Sequence, residues 1–119
     1  MNVPPLILDV LEGIPGSTDD GARPMQQAAA ELEHSFERAR RQYDLGEYRA
    51  AADTFLETAR AARGHDALAP NRASCYRNAA RAWYMAGVLP EKRTLLEEEA
   101  REDPLCATDI KEVLASLGE

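Results

Sequence analysis

The sequence predicts an all-α fold, and three observations predict it. Apolar residues recur at steps of three and four along most of the chain. No segment alternates with period two, and valine and isoleucine are too rare for a β-sandwich. Glycines at 46 and 87 interrupt long apolar stripes, where helices would stop and fold back. Of the 119 residues 45% are hydrophobic but only 6% aromatic, with alanine abundant, so the expected core is closely approaching helices in one domain.

The chain opens on Pro4-Pro5-Leu6-Ile7-Leu8-Asp9-Val10-Leu11-Glu12. Pro5 suits a first helical turn, and Leu6, Ile7, Val10, Leu11 and Ile14 then share one apolar face. So short a helix does not hold alone in water, so the segment must dock. It docks either on its own domain as a cap, or on a partner or a second copy. It is too short to span a bilayer and lacks the basic start of a leader. From Ile14 to Pro24, Pro15, Gly16, Ser17, Asp19, Asp20 and Gly21 oppose regular structure and read as a linker. Residues 1–23 are therefore an apolar segment plus linker, and residues 24–119 a helical domain.

The first long helix is predicted over about 24–45, with Met25, Ala28, Ala29, Leu32, Phe36, Ala39 and Tyr43 on one face and Gly46 as its stop. The second runs over about 47–63, with Tyr48, Ala51, Ala52, Phe55, Ala59 and Ala62 inward and Gly64 after it. The connector from Gly64 to Pro70 is longer than a tight hairpin needs. The third helix is expected near Asn71, a good N-cap residue, with Ala73, Tyr76, Ala79, Ala80, Trp83 and Ala86 inward and Gly87 closing it. Pro90 starts the fourth, which carries Leu95, Leu96 and Ala100 to about Glu102. Asp103 as cap and Pro104 at the first position restart the chain as a fifth helix, whose inner face is Ile110, Val113, Leu114 and Leu117.

The formal net charge of −7 argues against non-specific binding to nucleic acid or to anionic membranes. Twelve arginines against two lysines are compatible with a bias of genome composition, and equally with a local patch that grips an acidic peptide. Cys75 and Cys106 are fewer thiols than a small secreted scaffold uses, so they read as free thiols in a reducing cytoplasm. His34 and His65 lie far from both cysteines, so no metal or cofactor site is expected.

The segment Gly46-Glu47-Tyr48-Arg49-Ala50-Ala51-Ala52-Asp53-Thr54-Phe55, echoed about 41 residues later around Gly87, resembles tetratricopeptide (TPR) repeats, helix pairs of about 34 residues. In a first repeat, Ala39, Gly46, Tyr48, Ala51 and Phe55 match its small, turn and aromatic positions. In a second, Tyr76, Ala79, Ala80, Trp83, Gly87 and Pro104 match, whereas Lys92 stands where the second helix wants alanine. The resemblance implies antiparallel helical hairpins stacked as a short TPR-like superhelix, with the fifth helix as a C-terminal cap.

It also implies a groove that holds a peptide or helix of a partner protein. Residue by residue, that groove takes Phe36, Arg40 and Tyr43 from the first repeat. From the second it takes Ser74, Arg77, Asn78, Arg81 and Tyr84. Arginines framed by tyrosines suit an acidic peptide or a C-terminal carboxylate. Asn78 resembles the asparagine of the carboxylate-clamp subgroup, without that clamp's lysines. Read as helix periodicity alone, Arg77 and Arg81 are equally a solvated face spaced by four, and Glu97, Glu98, Glu99, Glu102 and Asp103 a solvated acidic surface rather than a run that pairs with the arginines of a neighbour. Trp83 belongs to packing, and Tyr84, one step round the helix, to binding.

Catalysis has little support, because His34 and Ser35 are neighbours in sequence and diverge on a helix. The expected function is a non-enzymatic protein-interaction module, an adaptor or chaperone-like holder. The alternative is a structural module that dimerises through Leu6, Ile7, Val10 and Leu11.

Overall fold

The structure, a computed structural model, describes residues 23–118, and the N-terminal apolar segment with Leu6, Ile7, Val10 and Leu11 lies outside the described residues. Within them the chain forms five α-helices and no strand: α1 (Arg23–Asp44), α2 (Tyr48–Ala61), α3 (Ala69–Ala86), α4 (Leu89–Glu102) and α5 (Ala107–Leu117). None of these is long and apolar enough to cross a membrane.

The two hairpin glycines act as the sequence requires. Gly46 has φ +81° and Gly87 φ +76°, the left-handed region that costs a side chain but not glycine. Both helices end alike. Glu47 N–H donates to the Gln42 carbonyl at 2.9 Å and Gly46 N–H to Tyr43 at 3.0 Å. Val88 N–H donates to Trp83 at 3.0 Å and Gly87 N–H to Tyr84 at 3.0 Å. Each is a Schellman closure that satisfies the last carbonyls and turns the chain back.

Contacts across the turns show antiparallel hairpins. Tyr43 meets Tyr48 edge to face at 5.1 Å, and further up the pair Phe36 meets Phe55 at 5.2 Å. Between α2 and α3 the packing residues are small: Ala51, Ala52 and Ala59 on one side, Ala73, Ala79 and Ala80 on the other, all buried. Alanines let the two backbones approach and give α2 no rotamer entropy to lose. Trp83, Tyr76, Leu96 and Ile110 fill the larger spaces between α3, α4 and α5. Lys92, at the place where alanine was expected, lies beside Trp83 with its ammonium 5.5 Å from the ring centroid.

Two local expectations are corrected. Asn71 does not cap α3, which begins two residues earlier with Leu68 at the N-cap and a proline in its first turn. Pro70 takes the position that needs no N–H, and Asn71 is buried inside that turn. Asp103 stands at the N-cap of the restart, but its side chain accepts no capping hydrogen bond, and the restart is a 3-10 turn, Pro104–Cys106, before α5 proper. Its carboxylate is engaged elsewhere, as described below. The long connector has a packing reason: its 3-10 turn, Asp66–Leu68, drives Leu68 into a satellite cluster with Ala29, Leu32 and Ala62.

Candidate functional site

The domain has two differently built ends. At the Gly64 end, where α2 finishes and α3 begins, charged residues meet inside the protein. Arg72 and Asp103 have side chains only 3% and 4% exposed. Arg72 donates from Nε to Asp103 Oδ2 at 2.8 Å and from Nη2 to Oδ1 at 3.1 Å, a bidentate fork. Its remaining nitrogen donates to the His65 carbonyl at 2.7 Å. The Tyr76 hydroxyl donates to Asp103 Oδ2 at 3.0 Å.

Next to this pair, Glu99 of α4, 2% exposed, accepts from both Arg60 of α2 and Arg63 just beyond that helix, with Arg60 Nη2 at 2.7 Å. Arg63 also reaches Glu102 at 3.0 Å. The acidic run is thus only partly a solvated surface: Glu97 and Glu98 are exposed, but Glu99 and Asp103 are buried clamps. Burial pushes the Asp103 carboxyl up, but the Arg72 fork and the Tyr76 hydroxyl outweigh it and hold it below its ordinary value. Both cysteines are free and buried here; burial, and then the Asp103 charge, push the Cys106 thiol up to about 12. Such a thiol is packing rather than a nucleophile.

At the opposite end, where α3 and α5 finish and α4 begins, the surface stays open. Gly87 turns the chain, Leu89 and Pro90 start α4, and the last turn of α5 brings Leu117 and Gly118 across. Between them lies a cleft of about 380 Å³, mostly apolar, with Tyr84 on its wall and Arg93 at its rim. The Tyr84 ring is 50% exposed, whereas its neighbour Trp83 is 1% exposed, because consecutive residues diverge on a helix. Arg93 makes no ion pair among the described residues. Gly118 is needed by contact: a Cβ there would stand 2.7 Å from the Leu114 carbonyl and 2.9 Å from the Arg93 guanidinium.

The expected groove residues divide. Phe36, Tyr43, Ser74 and Asn78 are buried and line no open groove as the chain stands. The reason is that the α1 stripe faces α2, while α3 is packed on two sides, by α2 and by α5. Arg40 pairs along its own helix with Glu37 at 3.0 Å and Asp44 at 3.9 Å. Arg77 is held across to α5, donating to Asp109 at 3.1 Å and to Ser74 Oγ at 3.4 Å. Arg81 is half-buried and near enough to Tyr43 to act on its phenol, which burial nonetheless pushes up.

Tyr84 alone of the eight lines the cleft. Arg93 was missed. It follows Leu89 by four positions on α4, a signal that becomes legible only when α5 is known to end beside it.

No protein-family model matches the chain, and no characterised protein or solved structure is significantly similar to it.

Proposed function

We propose that the chain is a TPR-like protein-interaction module, without chemistry of its own, which takes up an apolar side chain of a partner's peptide or helix in the Tyr84–Leu117 cleft. A carboxylate next to that anchor pairs with Arg93. The observation that carries this reading is the conjunction of an open apolar cleft, a half-exposed aromatic wall and an arginine with no ion pair among the described residues. Its volume lies in the range of about 300–1,000 Å³ usual for binding sites. Aromatic and arginine side chains are also those that most often dominate binding energy. Ion pairs that link α2 to α4 through Glu99, and α3 to α5 through Asp109, support the stacked-hairpin description. The module then acts in the manner of an adaptor or a holding chaperone.

Selection of a displayed random-peptide library on the full chain tests this, with binding mapped by amide chemical shifts. Enriched peptides should share an apolar anchor beside Asp or Glu and shift the amides of Gly87, Leu89 and Leu117. Tyr84→Ala and Arg93→Glu should each weaken binding about tenfold or more. Failure to enrich any sequence, or shifts confined to the exposed side of α1, would overturn the reading.

A further inference from the structure

We infer that this cleft receives the N-terminal segment, residues 4–14, of a second copy of the chain, exchanged reciprocally in a two-fold dimer. The inference rests on the cleft being a peptide site, and it names the occupant.

Chemistry is the first argument. Leu6, Ile7, Val10 and Leu11 recur at helical spacing and carry Asp9 and Glu12 among them. The cleft presents the complement, Leu89, Pro90, Leu117 and the Tyr84 ring, with Arg93 at the rim. A cavity of about 150 Å³ accommodates one benzene-sized group. A cleft of about 380 Å³ therefore has room for two aliphatic anchors, such as Ile7 and Leu11. An apolar stripe of this kind does not stay in water unaided.

Reach is the second argument, and it favours another copy's cleft over the chain's own. The helices alternate in direction, so α1 begins at the Gly64 end, and the cleft lies at the Gly46–Gly87 end. The 22 residues of α1 put about 33 Å between those ends, and the cleft lies further displaced, beyond α2 and α3. The nine peptide steps from Ile14 to Arg23 reach about 31 Å when drawn taut. Three helical residues back to Leu11, the nearer anchor, add about 4.5 Å, so the tether meets its own cleft only when drawn nearly taut, whereas a relaxed linker of nine steps spans about 17 Å. An antiparallel two-fold pair would set each α1 N-terminus beside the other copy's cleft, so that both sites fill at once.

Sedimentation velocity on the full chain, over a concentration series, provides the test. Two double variants at exposed or N-terminal positions leave the helical core untouched: Ile7→Glu with Leu11→Glu in the segment, and Tyr84→Glu with Arg93→Glu in the cleft. Wild type should dimerise, and each variant alone should sediment as a helical monomer, with dimer affinity lowered at least about a hundredfold. Mixing the two variants should restore a dimer, because one supplies an intact cleft and the other an intact segment. A monomeric wild type overturns the inference. So do variants that dimerise like wild type, or a mixture that stays monomeric.

A free peptide of residues 1–16, added to the Ile7→Glu, Leu11→Glu chain, separates the two proposals. If library peptides shift the cleft amides but the 1–16 peptide does not, the inference falls and the interaction-module reading stands. If no peptide shifts them, both fall.

Discussion

The two ends of this domain are built from similar residues used in opposite ways. At the Gly64 end arginines and carboxylates are drawn into the protein and satisfy one another, from the Arg72–Asp103 fork to the double grip on Glu99. At the Gly46–Gly87 end a tyrosine and an arginine are left facing water above an apolar floor. A charge that is fully paired and buried has no capacity left for a ligand, and removing its partner is costly. A charge left at a rim contributes little to stability and remains available for recognition. The contrast separates the part of the molecule whose charges hold the helices in register from the part whose tyrosine and arginine stay open to water.

The largest expected effect breaks the buried end. Asp103→Ala strands the Arg72 guanidinium in the interior and should lower stability by about 3–5 kcal/mol, read as a drop in the urea midpoint. Combining it with Arg72→Met should recover most of that loss, because the uncompensated charge is then gone. Tyr84→Ala serves as the control at the other end.

Acid should act on the same end. The Asp103 carboxyl titrates below its ordinary value in the fold and near about 3.9 when unfolded, so in that interval the unfolded chain binds the proton more readily. Its contribution is complete above the unfolded value and is lost as pH falls through the folded one. The wild-type unfolding midpoint should therefore decline on acidification more steeply than that of the Asp103→Ala, Arg72→Met pair.

A smaller effect concerns the turns. Gly46→Ala and Gly87→Ala force a side chain into the left-handed region, although nothing stands within 4 Å of the added Cβ. The cost is then backbone strain alone, about 1–2 kcal/mol each by thermal or urea unfolding, and Asn should cost less than Ala. Smallest of all, Tyr84→Ala should change stability by under about 0.5 kcal/mol while weakening capture of peptides at the cleft. A stability loss as large as that of Asp103→Ala would erase the distinction between the ends.

Much of the helical framework was legible because its signals are local. Gly46 and Gly87 sit at breaks in a three–four apolar stripe, and the structure ends α1 and α3 beside them. Where two local signals competed, the sequence misled. Asn71 is a good cap by type, but Pro70 fits the first turn without strain and Leu68 is pulled into the satellite core, so the helix starts earlier. Asp103 looked like a cap and Glu99 like surface, and both are clamps. Their partners Arg72, Arg60 and Arg63 lie more than thirty positions away, and nothing in the spacing of a single helix announces a pairing between hairpins.

Four of the expected groove residues are buried for a related reason. Phe36 and Tyr43 obey the apolar period and therefore face α2, and Ser74 and Asn78 lie on a helix covered from two directions. Tyr84 is open to water because it steps off the stripe beside Trp83. Arg93 depends on where α5 ends, which is tertiary information.

Glu99 has a consequence in brine. Its carboxylate is nearly sealed from solvent between the guanidinium groups of Arg60 and Arg63, so mobile ions screen that grip weakly. Arg93 stands in open water, where concentrated salt dulls its pull on an anion. Raising ionic strength should thus loosen whatever is held at the cleft while the helices stay locked together, a release that requires no unfolding.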